Sequence, residues 1–321
     1  MKVAGIISLI FLSYLQKVNA WGFFGHQVIN RMACFTLPSQ LFSFYKNHID
    51  YLTEHSVDPD KRRYSDPAEA PRHYIDIDHY GNNPFDSVPE RWNDAVLKFT
   101  EDSLNKYGIV PWWINNMYYQ LTKAFQEKDV SKIKYYSANL GHYIADSHVP
   151  LHCTENYNGQ MTNQNGIHGF WESRLPELFG SDYDYFVGQA SYITNVQEYC
   201  WQNIRQSFSA IDSVLGFERK LSMRFDTDKK YAYEVRGNQL MKVYSKEYSA
   251  EYHADLSGQV ERRMQQAILA VGSIWYTAWA NAGMPDLSEK DVLIDEKVIP
   301  MEEKMGIIDS TKMIINKREC D

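Results

Sequence analysis

Residues 140–152 read LGHYIADSHVPLH, and this stretch places three metal-binding side chains close together in the sequence. His142 and Asp146 are four residues apart, so on an α-helix they lie on the same face. Pro150 predicts the end of that helix, and His152 follows where the chain can turn back toward the same point. Imidazole nitrogens and carboxylate oxygens bind zinc without the help of thiolates. The stretch therefore predicts a helix that carries part of a zinc site.

A second stretch, GIHGFWES at residues 166–173, repeats this spacing with His168 and Glu172. Together with donors nearer the N-terminus, the two pairs form a ligand set sufficient for three zinc ions: Trp21 with its α-amino group, His26, Asp58, His73, His142, Asp146, His152, His168 and Glu172. Among the other histidines, His148 is expected to orient a ligand. The remaining ones are expected at the surface or on helix faces, namely His48, His55, His79 and His253.

The first twenty residues, MKVAGIISLIFLSYLQKVNA, have the form of a secretory signal peptide. An early Lys2 precedes an apolar stretch too short to span a bilayer, and a small-residue cleavage site ends at Ala20. Cleavage there leaves Trp21 as the N-terminus, with an α-amino group and a carbonyl that can chelate a metal near His26. The alternative is that WGFFGH is merely the start of an aromatic helix. We expect a secreted or periplasmic protein with no membrane anchor.

The charge of the chain is acidic, which limits the surfaces it offers to partners. The 321 residues carry a formal net charge of −8, and loss of Lys2 and Lys17 with the signal peptide makes it −10. A broad basic surface for nucleic acid is therefore not expected, and a polyanionic substrate must be held by local cations such as zinc. The cysteines match no thiolate metal motif, and their spacing decides no disulfide pairing; they are Cys34, Cys153, Cys200 and Cys320.

Apolar residues recur at helical spacing along most of the chain, which predicts an all-α fold in a single multi-helix domain. The candidate helices are 28–45, 90–107, 112–126, 133–145, 169–178, 185–215, 232–248 and 257–282. Prolines make residues 50–90 rich in loops, and residues 156–167 form a polar loop. We expect a signal peptide at 1–20, a catalytic domain at 21–283, and a packed or partly mobile tail at 284–321.

These motifs resemble the S-one/P-one family of single-strand-specific zinc nucleases, which is related in fold to bacterial zinc-dependent phospholipase C. The resemblance runs from Trp21 to about residue 282. It rests on Trp21 with His26, on the pair Asp58 and His73, and on the stretches GHYIADSHVPLH and HGFWES. It implies an all-α domain with a trinuclear zinc site at the bottom of a cleft.

The resemblance also implies how the ligands are divided among three zinc ions. The three sets would be Asp58, His73, His142 and Asp146; then His152, His168 and Glu172; then Trp21, His26 and Asp146. Asp146 would bridge two ions and bring them close enough to share an activated water. In the family, attack by this water on a phosphodiester leaves a 5′-phosphate.

The resemblance also implies contacts with the substrate. In the nucleases a basic residue three positions after the first Asp ligand contacts phosphate; here that position holds Lys61, with Arg62 beside it, and Asp58 itself would help orient the nucleophile. A solvated basic loop is an equal alternative. In HYIDID, Tyr74 matches an aromatic that stacks on a base, and Asp76 matches a carboxylate that binds base edges. A plain core position for Tyr74 is the alternative.

We therefore expect a secreted zinc-dependent endonuclease that acts on single-stranded DNA or RNA, with no obligate protein partner. RNA, DNA, 3′-mononucleotides and phospholipid stay open as substrates. A zinc-dependent phospholipase C is the first alternative, because Glu172 replaces the Asp usual in fungal and plant nucleases and the loop before His168 is shorter. The second alternative is a non-catalytic secreted protein stabilised by zinc. Nine ligands for three ions leave open coordination positions, which favours catalysis.

Overall fold

The computed structural model describes residues 22–236 and 239–287, and helices dominate this part of the chain. The helices of the first half are α1 (Gly22–Ala33), α2 (Ser39–Asn47), α3 (Ile49–Glu54), α4 (Asp58–Arg62), α5 (Pro84–Ser87), α6 (Trp92–Phe99), α7 (Glu101–Tyr107), α8 (Val110–Glu127) and α9 (Val130–Asp146). Those of the second half are α10 (Ile167–Gly169), α11 (Leu175–Phe179), α12 (Val196–Ser209), α13 (Ile211–Arg224), α14 (Lys246–Asp255) and α15 (Gln259–Asn281). A π-helical segment, Phe170–Arg174, joins α10 to α11. The predicted all-α class is confirmed.

The long helices α8, α9 and α15 pack against one another, and α1 packs on α9 and α15. Aromatic side chains with buried polar ends hold this centre together. The ring of Tyr45 stacks on Trp275 with centroids 4.8 Å apart, and the Tyr45 hydroxyl lies 2.7 Å from the Ser137 hydroxyl. The indole N–H of Trp275 donates to the Ser137 carbonyl at 3.2 Å. Tyr45 and Trp275 thus meet the hydrogen-bonding needs of their polar ends while contributing large apolar area.

Two glycines allow α1 and the turn that follows it to approach their neighbours closely. A Cβ added at Gly141 of α9 would lie 2.0 Å from Asn30 Oδ1, and one at Gly272 of α15 would lie 1.9 Å from Thr36 Oγ1. The Asn30 amide also donates to the Ala138 carbonyl at 3.0 Å. Because the backbones can come this close, α1 and α9 bring side chains from distant parts of the sequence into contact.

Several predicted helices are interrupted where the backbone requires it. Pro38 separates α1 from α2 within the predicted helix 28–45, because proline has no N–H to continue a helix. Thr100 separates α6 from α7 with a φ of 66°, and its hydroxyl accepts a hydrogen bond from the Ser103 N–H. The predicted helix 185–215 is an extended segment as far as Asn195, where α12 is capped. The region 50–90 contains short helices and turns joined by loops.

One predicted helix, 232–248, is wrong. Tyr231–Arg236 and Gln239–Tyr244 form an antiparallel hairpin, β1 and β2, and helix α14 starts only at Lys246. Along β1 the side chains alternate between exposed and half-buried, which is the two-residue period of a strand. The sequence between the strands is Gly237-Asn238, a pair typical of short hairpin turns. The Tyr244 ring stacks on Phe170 with centroids 3.8 Å apart and fastens the hairpin to the π-helical segment.

Within residues 22–236 and 239–287, no helix is long and apolar enough to cross a membrane. The expected signal peptide at 1–20, Trp21, Cys320 and most of the expected tail at 284–321 lie outside the described residues. The first residues of that tail are packed, since the Trp279 indole N–H donates to the Pro285 carbonyl at 3.0 Å. Cys34 and Cys200 are free, buried thiols.

Candidate metal centre

Buried imidazoles and carboxylates meet in three neighbouring groups, in each of which the potential ligand atoms all lie within 4.8 Å of one another. The groups are Asp60, His73 and His142; His26, His142 and Asp146; and His152, His168 and Glu172. Every one of these side chains is buried. His142 belongs to two groups, so the first and second adjoin.

The first group joins α4, the turn before Tyr74, and the end of α9. His73 Nδ1 lies 3.0 Å from His142 Nε2, and Asp60 Oδ1 lies 4.0 Å and 3.8 Å from these two nitrogens. Asp146 also reaches this group, with Oδ2 at 2.9 Å from His73 Nδ1 and 3.2 Å from His142 Nε2. Four donor atoms from three separate segments therefore converge on one point.

The other oxygen of Asp146 faces His26 and His152. Asp146 Oδ1 lies 3.5 Å from His26 Nε2 and 3.9 Å from His152 Nδ1. The His26 ring stacks on His142 with centroids 3.8 Å apart, which is the contact that the glycine-mediated approach of α1 and α9 makes possible. Asp146 thus presents one carboxylate oxygen to each of two donor groups, the arrangement required of a bridging ligand.

The third group is built mainly by the helical segment 167–179. His168 Nε2 and His152 Nε2 lie 3.1 Å and 3.4 Å from Glu172 Oε2. Glu172 belongs to the π-helical stretch Phe170–Arg174, a wider turn of the kind found often at functional sites. The predicted pairing of His168 with Glu172 is therefore present, with His152 folded back beside it.

Hydrogen bonds on the far side of the rings orient the histidines. The Nδ1–H of His142 donates to the Ser56 carbonyl at 2.8 Å, and that of His152 donates to the His73 carbonyl at 2.6 Å. His73 turns its Nε2 toward Glu69 Oε1 at 3.5 Å. When one ring nitrogen carries the proton in such a bond, the other has a free lone pair, and here it faces the centre.

Several buried donor atoms have no hydrogen-bond partner within the described part of the chain. They are both nitrogens of His26, both carboxylate oxygens of Asp60, Asp146 Oδ1, His152 Nε2 and Glu172 Oε2. A buried polar atom left without a partner costs about 1–3 kcal/mol. So many such atoms in one place fit residues that coordinate metal ions. Their chemistry, imidazole nitrogen with carboxylate oxygen, is that of zinc ligands.

The charges of the groups agree with this interpretation. Burial opposes ionisation of Asp146, but His142 and His152 outweigh it and hold the pKa of this carboxyl well below its usual range. Burial likewise opposes ionisation of Glu172, and the neighbouring His168 and His152 lower its pKa to about 2. Burial lowers the pKa of His26 well below its ordinary value, which keeps this imidazole neutral and able to donate a lone pair.

A model of the S1/P1 nucleases matches residues 21–272, a span that contains every donor named above. The chain belongs to the S1/P1 nuclease family. Members of this family are zinc-dependent hydrolases that cleave phosphodiester bonds. The zinc dependence of the family and the buried groups of metal-binding side chains thus point to the same centre.

Among solved structures, the chain is similar to the α-toxin of Clostridium perfringens avian strain SWCP, at 14% identity and a TM-score of 0.47, over 84% of this chain and 65% of that one. It is also similar to the α-toxin of Clostridium absonum, at 14% identity and a TM-score of 0.45, over 88% of this chain and 68% of that one. The chain thus spans about two thirds of the length of both. No curated protein matches the chain.

Asp58, expected as a ligand of the first group, is not brought there; the structure places Asp60 instead. Residues separated by two positions on an α-helix point about 200° apart around its axis, so the Asp58 and Asp60 carboxylates lie on opposite sides of α4. Asp60 is 2% exposed. The Asp58 carboxylate lies toward solvent, 2.5 Å from His55 Nδ1 and 2.9 Å from Lys61 Nζ. The sequence DPDKRR offers both carboxylates, and only the helix orientation distinguishes them.

The basic residues after Asp60 also separate into different environments. Arg62 turns inward, where its guanidinium donates to Glu69 at 3.2 Å and to Asn139 at 2.5 Å, so it supports the residues behind the metal centre. Lys61 is exposed and paired with Asp58. The basic residue that contacts phosphate is expected three positions after the first Asp ligand. If that ligand is Asp60, this position holds Arg63, whose Nη1 lies 3.8 Å from Asp60 Oδ1. Arg63 is therefore a further candidate for phosphate contact, beside the predicted Lys61 and Arg62.

Tyr74 and Asp76 are both nearly buried, at 7% exposure each. The Tyr74 ring packs on Gly108, where an added Cβ would lie 2.5 Å from the ring, and its hydroxyl donates to the Lys106 carbonyl at 3.3 Å. The Asp76 N–H donates to the Tyr107 carbonyl at 2.7 Å. Tyr74 therefore lies in the packed interior, which is the core position given above as the alternative. Little of its ring is exposed for a base to stack on.

His148 and Glu69 are also buried near the donor groups. His148, expected to orient a ligand, instead donates from Nδ1 to the Ile144 carbonyl at 2.7 Å, and burial together with Arg263 lowers its pKa to about 3. Glu69, which sequence analysis did not consider, lies fully buried beside His73. Its spacing of four residues before His73 was the signal that could have revealed it.

Proposed function

We propose that this protein is a secreted zinc-dependent phosphodiesterase that hydrolyses single-stranded nucleic acid and leaves 5′-phosphates. The observation that supports this most directly is the meeting of three donor groups in a chain of the S1/P1 nuclease family. Each group supplies donors from at least two separate segments. Secretion rests on the signal-peptide form of residues 1–20.

In this proposal three sets of donors would each hold one zinc ion, with Trp21 taken from the sequence and the other residues from the donor groups described above. The first set is Asp60, His73, His142 and Asp146; the second is His152, His168 and Glu172; the third is His26 and Asp146, completed by the α-amino group and carbonyl of Trp21. Asp60 replaces Asp58 in the ligand set derived from the sequence. Three or four protein ligands per ion leave positions for substrate and water, as catalytic zinc sites require.

The chemistry divides between the ions and the side chains. When bound, zinc supplies a Lewis acid that lowers the pKa of water toward neutrality and offsets negative charge on phosphate oxygens. Asp146 holds two donor groups at a set separation through its two oxygens. The carbonyl of Ser56 and that of His73 keep the His142 and His152 rings in the required tautomers. Arg63 is the basic side chain proposed to hold a phosphate oxygen, since a guanidinium matches phosphate with two parallel donors.

A single-strand preference follows from the acidity of the protein and the enclosure of the donors. A net charge of −8 disfavours duplex binding, which depends on neutralising many phosphates at once. The donor groups are buried, and a flexible single strand can bring a phosphodiester to a recessed site more readily than a stiff duplex can.

The proposal is tested by incubating zinc-loaded protein with single-stranded DNA, the same sequence as a duplex, single-stranded RNA, and phosphatidylcholine vesicles. We expect cleavage of the single strands with 5′-phosphate ends and much slower cleavage of the duplex. Asp146→Asn, which weakens the shared ligand, should abolish cleavage of every substrate. Hydrolysis of phosphatidylcholine without cleavage of nucleic acid would instead establish the phospholipase C alternative, which Glu172 favours. No hydrolysis of any substrate by fully zinc-loaded protein would support the non-catalytic alternative.

A further inference from the structure

An exposed aromatic ring and an exposed cation meet beside the metal centre. Phe23, in the first turn of α1, is 38% exposed and precedes His26 by three residues. Lys61 directly follows Asp60 in α4, and its side chain is 55% exposed. The Lys61 Nζ lies 6.0 Å from the centre of the Phe23 ring. Phe23 and Lys61 are thus close in sequence to the buried candidate ligands His26 and Asp60, but their own side chains are exposed to solvent.

The position of α1 places this pair near more than one donor group. Gly22 packs on Ser173, where an added Cβ would lie 3.2 Å from the Ser173 hydroxyl. Ser173 follows Glu172, a member of the third donor group. The first turn of α1 therefore adjoins the segment of Glu172, while Phe23 contacts the segment of Asp60.

The cation is held in place by a carboxylate rather than left to move freely. Lys61 Nζ lies 2.9 Å from Asp58 Oδ1, and the other oxygen of Asp58 is 2.5 Å from His55 Nδ1. The His55 ring in turn stacks on Tyr51 with centroids 4.0 Å apart. This chain of contacts orients the ammonium group toward the Phe23 ring and keeps it at the surface.

We propose that Phe23 and Lys61 form a nucleotide-binding subsite, in which a base of a single strand stacks on the Phe23 ring and the adjoining phosphate pairs with Lys61. This rests on the proposed function and deepens it by naming a base-recognition site. An aromatic face with a nearby cation is the combination by which proteins hold single strands regardless of sequence. Tyr74 cannot serve in this way, because its ring is packed against Gly108.

The first experiment compares Phe23→Ala and Phe23→Leu with wild-type protein on a single-stranded oligonucleotide. Loss of one stacked base, worth about 1–3 kcal/mol, predicts a KM raised roughly 5- to 150-fold with little change in kcat. Leucine keeps apolar bulk but offers no aromatic face, so it should behave like alanine, whereas Phe23→Trp should retain a low KM. Zinc content by elemental analysis should be the same in all variants.

The matched control is Phe35→Ala. Phe35 is 48% exposed and follows the far end of α1, a helix of 12 residues with a rise of about 18 Å. This variant should leave the KM unchanged. An oligonucleotide with abasic residues provides a second control, because it has no base to stack and should be bound equally by wild type and Phe23→Ala. A KM raised equally on normal and abasic strands would mean that Phe23 acts through packing and would overturn the proposal.

The cation is tested by Lys61→Met through the salt dependence of binding. One phosphate contact in a single strand contributes about 0.7 to the slope of log K against log salt concentration, so the slope should fall by about that amount. An unchanged slope would remove Lys61 from the subsite. If wild-type protein cleaves single strands and Phe23→Ala cleaves them with the same KM, the subsite fails and the proposed function stands. If wild-type protein cleaves no nucleic acid, the proposed function itself fails.

Discussion

At the scale of single residues, orientation decides which of two neighbouring carboxylates can bind a metal. Asp58 and Asp60 differ by two positions on the short helix α4. Burial raises the pKa of the Asp60 carboxyl, while the histidines around it act in the opposite direction. A buried carboxyl with no hydrogen-bond partner gains far more from a cation than the half-buried Asp58 carboxyl, which already contacts Lys61 and His55.

This difference leads to a prediction about zinc content. Asp60→Asn should lower zinc bound per chain and reduce activity by at least 100-fold, because a ligand of the first donor group becomes a weak one. Asp58→Asn should keep the full zinc content, since its carboxylate lies outside the three donor groups. Elemental analysis after dialysis in chelator-free buffer measures both. Loss of zinc from the Asp58 variant with none from the Asp60 variant would restore the assignment made from the sequence.

At the scale of elements, a buried ionic network fastens the turn carrying His73 to α4 and α9. The Glu69 carboxylate accepts hydrogen bonds from Arg62 at 3.2 Å, from Arg72 at 2.9 Å, and from the Tyr143 hydroxyl. Burial opposes ionisation of Glu69, but the bonds and charges of His73, Arg62 and Arg72 outweigh it and hold its pKa far below the ordinary value. Sequence spacing indicates the helices, whereas this network determines how they are joined.

Removing this carboxylate should destabilise the protein. Glu69→Gln should lower the free energy of unfolding by about 3 kcal/mol at neutral pH, because two guanidinium groups that are only 14% exposed lose their fully buried counter-ion. The depressed pKa means that Glu69 contributes stability above its unfolded value of 4.5 and loses that contribution as the pH falls below it. The gap between wild type and variant should therefore narrow below pH 4.5. Urea unfolding of zinc-loaded protein across that range measures it.

The control for this prediction is Glu177→Gln. Glu177 pairs with Arg236 at 2.7 Å, but both side chains are 36% exposed, and such surface pairs contribute about 0–1 kcal/mol. A Glu69 variant as stable as the Glu177 variant, or a gap that widens in acid, would contradict the account of the network.

At the scale of the whole molecule, the metal centre lies where α1, α4, α9 and the segment 167–179 meet. Within the described residues, several of the donor atoms on these elements have no hydrogen-bond partner. Metal ions that bind the folded chain and not the unfolded one stabilise it through their binding free energy. We therefore expect metal ions bound at this centre to stabilise the packing of these elements as well as to serve in catalysis.

Zinc removal should therefore lower the melting temperature. At a zinc concentration about 1,000 times the dissociation constant, one site contributes about 4 kcal/mol, and each kcal/mol corresponds to about 2–4 °C in a protein of this size. We expect a chelator to lower Tm by about 10 °C, with re-addition of zinc restoring it. Elemental analysis of the untreated protein should give close to three zinc ions per chain. One ion or none, with no change in Tm on chelation, would defeat the trinuclear centre.

Much of this protein follows from the sequence alone. The spacing of apolar residues is sufficient for the long helices, because burial of one helix face imposes a period of 3.6 residues. The four-residue spacing of His142 with Asp146 and of His168 with Glu172 is sufficient to pair these donors, since such residues share a helix face. The hairpin does not follow from the apolar pattern, because the apolar residues Tyr231, Tyr233 and Val235 lie on the exposed face of β1, whereas Ala232, Glu234 and Arg236 are half-buried.

The remaining features depend on tertiary structure. The choice of Asp60 over Asp58, the inward turn of Arg62, the burial of Tyr74 and the exposure of Phe23 beside Lys61 are set by how elements pack. The local sequence does not specify that packing, because the same residue type can face either a neighbouring element or solvent. The sequence by itself determined which donors exist and which helices carry them. Only the tertiary structure decided which donors meet, because contacts between segments far apart in the chain orient each side chain.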